Sequence, residues 1–119
     1  MYTPRVRRAD NPPAETKGAK MYTSRKNAIG KIAKMEAFDG NSMCGRENPD
    51  GTYQNSGQIY GDAAVLWRID QDARRIRYVV YSYATPIAWV RENGEWVVPA
   101  EKYSATTSRH QSIVRMAVR

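Results

Sequence analysis

One cysteine, one histidine and one phenylalanine are all that the 119 residues hold of these three types. A lone Cys44 excludes an intrachain disulfide and fits a reducing compartment. With one His and one Cys, the usual tetrahedral zinc site cannot be assembled unless carboxylates supply the rest, and neither a metal nor another cofactor is expected. Phosphate cradles are missing too: Gly40, Gly45, Gly51, Gly57 and Gly61 never fall into G-x-x-x-x-G-K-[ST] or G-x-G-x-x-G. The longest uncharged run, YVVYSYATPIAWV, is too short to span a bilayer and holds a proline. No apolar stretch follows the N-terminal charges as a signal peptide requires, so a cytoplasmic protein with no membrane partner is expected.

The charge is abundant and unevenly placed. The net charge is +7. Residues 1–35 carry nine Lys and Arg against two acids, residues 36–101 six against ten, and residues 102–119 four against none. Two basic ends therefore flank an acidic middle. Clustered cations of this kind neutralise phosphates and release counterions, or else pack against the chain's own acidic segment.

Residues 1–20 hold three prolines and few large apolar side chains, a composition that reads as a basic flexible arm ahead of a single domain, 21–119. From Thr23 or Ser24 as N-cap, RKNAIGKIAKMEAF predicts an amphipathic helix. It turns Ala28, Ile29, Ile32, Met35 and Glu36 to one side and Asn27, Lys31 and Lys34 to the other. Arg25 and Lys26 occupy its first turn, where the helix dipole disfavours cations, and Gly30 costs about 1 kcal/mol against alanine. Residues 39–62 read as a long connection with at most one short strand near Ser42–Arg46 and a firm turn at Asn48–Gly51. AAVLWRID and RIRYVVYSYAT are rich in strand formers and predict a hairpin across QDAR. Asn93-Gly94 between apolar runs predicts a two-residue type I′ turn that sets Arg91 opposite Trp96 and Val90 opposite Val97. Pro99 should end that strand or mark an edge.

The segment YSATTSRHQ, Tyr103–Gln111, gathers five hydroxyls around the histidine. Pairing Ser104, Thr106, Thr107 or Ser108 with His110 as nucleophile and base would also require an orienting acid, and none is near in sequence. Ser108 and Gln111 have instead the spacing of a capping box, with Tyr103–Thr107 as an extended lead-in and His110 in the first turn, its pKa lowered by the dipole. The resulting fold class is α+β. A small antiparallel sheet of about four strands lies between an N-terminal and a C-terminal helix, with the helices on one face.

YVVYSYATPIAWV, KYSATTSRHQSIV and the upstream FDGNSM together resemble a family of small uncharacterised proteins from phages of actinobacteria, with relatives in their hosts. The pattern spans residues 24–115. The resemblance implies a phage accessory protein in a bacterial host cytoplasm, and it brings no assigned activity.

The expected function is therefore non-enzymatic binding of nucleic acid, DNA ahead of RNA, with little sequence specificity. Arg5, Arg7, Arg8, Lys17, Lys20, Arg25, Lys26, Lys31 and Lys34 would supply the phosphate contacts. Thr107, Ser108, Arg109 and His110 form a second candidate surface for an anion or a partner. The alternative is a protein-protein module that binds or inhibits a host protein through Tyr and Trp side chains at the sheet edge. The sequence leaves the oligomeric state open.

Overall fold

The computed structural model describes residues 24–118, so the arm and its five candidate cations lie outside the described residues. Three helices and five strands follow in the order α1 (Arg25–Ala33), β1 (Phe38–Asp39), β2 (Met43–Glu47), α2 (Gly61–Asp72), β3 (Ile76–Ser82), β4 (Thr85–Arg91), β5 (Trp96–Val97) and α3 (Ala105–Val118). The strands pair in chain order as one antiparallel sheet.

Each face of the sheet has its own core. On one face Ala28 and Ile32 of α1 and Val114 of α3 pack on Phe38, Met43, Tyr78, Val80, Ile87, Ala88 and Val90. On the other, Trp67 of α2 packs on Ile76, Val79, Tyr81 and Trp89, with the two indoles edge to face at 4.9 Å. Full burial of an aliphatic or aromatic side chain contributes about 1.5–3 kcal/mol, so both layers hold the sheet. The N-terminal and C-terminal helices share one face, as expected, and the unexpected α2 covers the other, giving three layers. A bulge leaves Ile87 without a partner between the Val80–Ala88 and Tyr81–Pro86 pairs, so two successive residues of β4 face α1 and α3. The same irregularity accommodates Pro86, which has no N–H to give the ladder.

The largest correction concerns AAVLWRID, which is helix and not strand. Ala63, Trp67, Asp70 and Gln71 are buried at helical spacing. The N-cap position, Tyr60, gives no side-chain hydrogen bond. The carboxylate of Glu101, 38 positions away, accepts from the Ala63 N–H at 3.0 Å. That tertiary cap satisfies an orphan donor of the first turn, and no local signal announces it.

Local chemistry sets the other boundaries. Ser24 Oγ accepts from the Asn27 N–H at 3.2 Å to start α1. The helix stops at Ala33, short of the expected span, because Met35 takes a left-handed conformation (φ 56). Its N–H reaches the Ile32 carbonyl and the Glu36 N–H reaches that of Lys31, the bonding of a Schellman motif. The Asn48–Gly51 turn closes at 3.1 Å with Gly51 at φ 64.

The Asn93-Gly94 hairpin forms with its register shifted by one residue. Val90 pairs with Trp96, Trp89 pairs with Val97, and the Arg91 N–H donates to the Glu95 carbonyl. Only Gly94 has positive φ, so the loop is a three-residue turn with the glycine at the left-handed position. β5 ends before Pro99 and lies at the sheet edge, as its proline demands.

Candidate functional site

Helices α1 and α3 lie side by side on one face of the sheet, bringing the two basic ends of the described chain together. Neither helix contains a carboxylate. Because α1 turns Ala28 and Ile32 inward, Arg25, Lys26, Lys31 and Lys34 are exposed. Because α3 turns Thr107, His110, Gln111 and Val114 inward, Arg109 and Arg115 are exposed. The result is one layer with six exposed cations. Lys31 also meets Glu36, just beyond α1, at 3.2 Å; both side chains are nearly half exposed, so the pair is weak.

Two hollows mark this layer. One of about 290 Å³ lies between the helices, lined by Arg25, Arg109, Ser112 and Ile113. It sets two guanidinium side chains and a hydroxyl around one space, a donor set suited to a phosphate. The second, about 340 Å³, is lined by Lys26, Asn27, Gly30, Lys31, Lys34 and Glu36. A methyl added at Gly30 would meet nothing within 4 Å, so packing does not require glycine there.

The second candidate surface divides. Ser108 and Arg109 are exposed, whereas Thr107 is 5% and His110 9% exposed. α3 begins at Ala105, not after Ser108, and its cap is Ser104, whose Oγ accepts from the Thr107 N–H at 3.2 Å. The capping box is therefore corrected: Gln111 is buried and donates from Nε2 to the Glu101 carbonyl at 2.8 Å. His110 sits in the second turn.

His110 and the neighbouring hydroxyls form one chain of hydrogen bonds. Ser104 Oγ donates to Thr107 Oγ1 at 3.2 Å. Thr107 Oγ1 is hydrogen-bonded to Ser82 Oγ at 3.0 Å, and Ser82 Oγ to His110 Nδ1 at 2.7 Å. Nε2 pairs with Ser42 Oγ at 3.3 Å, so one ring nitrogen donates and the other accepts according to the tautomer. Ser82 is 1% exposed. The chain ties α3 to the ends of β2 and β3. Burial, aided by the Arg109 charge, lowers the His110 pKa; the direction matches the sequence reading, but desolvation, not the helix dipole, is the cause.

With this geometry in place, the chain matches a family of unknown function, DUF8033, over residues 16–114. The chain belongs to that family. No curated protein and no solved structure matches it. In this DUF8033 member the segments Tyr78–Thr85 and Tyr103–Gln111, far apart in sequence, meet at the Ser82–Thr107–His110 network. The tip of the β3–β4 hairpin, Tyr83-Ala84, has both residues at positive φ (51 and 68), and the exposed Tyr83 ring lies 6.1 Å from that of His110.

Cys44 packs on the α2 side of the sheet, while His110 is bonded on the α3 side. The DUF8033 fold thus keeps the two apart, and burial pushes the thiol pKa up. Sequence reasoning missed Asp70 altogether. Its fully buried carboxylate accepts from Trp89 Nε1 at 2.8 Å and Arg91 Nε at 2.9 Å, and its other oxygen lies 3.6 Å from an Arg75 nitrogen. A lone aspartate inside an apparent strand carried no signal of this role. Among the described residues, no helix is long and apolar enough to cross a membrane.

Proposed function

We propose that this chain is a non-enzymatic accessory protein that binds nucleic acid, duplex DNA ahead of RNA, through the α1–α3 layer with little sequence specificity. The observation that carries the reading is the side-by-side packing of two helices that contain no carboxylate and expose six cations on one face. Arg25, Lys26, Lys31 and Lys34 with Arg109 and Arg115 contact phosphates. The basic residues 1–20 extend the same electrostatic contact. A phage-encoded protein acting in a bacterial cytoplasm is the setting in which such a surface meets DNA freely.

Binding to random duplex DNA is measured across a salt series. Affinity should fall steeply with salt, and log K against log salt should lose a slope of about 0.9 for every phosphate contact removed. Replacing both Lys26 and Lys34 by alanine should therefore flatten the slope by about 2. An absence of binding at low salt refutes the reading.

A further inference from the structure

Six large apolar side chains are exposed among the described residues: Tyr53, Tyr60, Val65, Leu66, Ile69 and Tyr83. Val65, Leu66 and Ile69 form a stripe on the outer side of α2, opposite the side that buries Ala63 and Trp67. Tyr60 stands at the N-terminus of that helix, and Tyr53 bonds Asp72 at its other end, 2.6 Å away. Five of the six therefore lie on or against one element. An apolar stripe with a polar surround marks an interaction surface rather than scattered surface residues.

We propose that this face of α2 is where two copies of the chain pair, antiparallel, about a two-fold axis. Charge selects a second copy as the occupant. The helix carries Asp62 in its first turn, and the exposed Arg74 follows its last. Antiparallel apposition sets Asp62 of each copy against Arg74 of the other, and places the two helix dipoles head to tail. Leu66 and Ile69 then pack across the axis twice. The α2 face also avoids the repulsion that a chain of net charge +7 imposes on its own copies. The six cations of α1 and α3 lie on the other side of the sheet, while α2 itself holds three aspartates and one arginine. Pairing through α2 points the two cationic layers away from each other. On the nucleic-acid reading, on which this consequence rests, one dimer holds two duplexes.

The test uses the full chain without DNA, by sedimentation equilibrium at chain concentrations from about 5 to about 500 μM, because association follows mass action. The wild-type chain should dimerise as concentration rises. Ile69→Glu should weaken the dimer at least about tenfold, since it buries a charge against its own symmetry mate. Leu66→Gln provides a milder second variant, and circular dichroism reports that both remain folded. A wild-type chain that stays monomeric throughout, or a dimer indifferent to both substitutions, overturns the proposal. Capture of a labelled duplex by protein on an immobilised duplex then reads bridging. Ile69→Glu should abolish capture while leaving binding to a single duplex unchanged. A dimer that binds no DNA refutes the nucleic-acid reading and leaves the α2 interface standing; capture by Ile69→Glu equal to wild type overturns the bridging arrangement.

Discussion

Gly30 is a helix-interior glycine that no neighbouring atom requires. Its cost to α1, about 1 kcal/mol against alanine, is offset by no contact inside the protein. On the nucleic-acid reading, the lysine-lined hollow beside it would give the missing methyl a use, since bare backbone allows close approach of a phosphate. Gly30→Ala should raise the unfolding free energy by about 1 kcal/mol in urea denaturation and weaken duplex binding in the same preparation. An alanine that stabilises the chain without weakening binding would show that the glycine serves no interface. His110 makes a second prediction. Its pKa in the folded chain lies below the ordinary 6.5, so between those two values the unfolded chain binds the extra proton. Stability must therefore rise with pH across that window and fall as pH drops from 7 toward 5. His110→Gln, compared with wild type by thermal unfolding from pH 5 to 7.5, should lose this component of the slope. The histidine's surroundings were not legible locally, because Ser42 and Ser82 lie 68 and 28 positions away.

Helix α2 illustrates how a segment can hide its own structure. Val65, Leu66, Trp67 and Ile69 read as strand formers, and the helix start is capped by Glu101 from a distant loop. By contrast the cap of α1, narrowed to Thr23 or Ser24, the turn at Asn48–Gly51 and the glycine of the β4–β5 loop were all legible, since each acts on its immediate neighbours. The hairpin register slipped by one because asparagine and glycine serve a three-residue loop as well as a two-residue one. Asp70 fastens α2 to β4 through Trp89 and Arg91. Asp70→Ala would leave the Trp89 indole N–H and the Arg91 Nε–H without their acceptor, although Arg91 keeps Glu95, and should cost about 3 kcal/mol in chemical denaturation. The β3–β4 turn offers the opposite change. Alanine at φ 68 is strained where glycine is not, so Ala84→Gly should gain about 0.5–1 kcal/mol, read as a higher melting temperature.

Across the whole molecule, charge is sorted by layer: α1 and α3 carry only cations on one side of the sheet, and α2 carries mixed charges on the other. Charge reversal should therefore depend on the side chosen. Lys26→Glu on α1 should lower duplex affinity severalfold at low salt, and Arg68→Glu on α2 should change it far less, although both alter net charge equally. Equal losses from the two variants would mean that binding senses only total charge.

The side-by-side packing of α1 and α3 also bears on how the chain is made. The sheet is a meander whose strands pair in the order they leave the ribosome, so each can find its neighbour as it emerges. Helix α1 cannot. Much of its apolar side is covered by α3, the last of the described elements, and it stays uncovered until some seventy residues of later sequence have been synthesised. A product cut short before α3 would keep the strands and the four cations of α1 but lack Arg109 and Arg115, and on the nucleic-acid reading its salt slope should be shallower than that of a chain that includes α3.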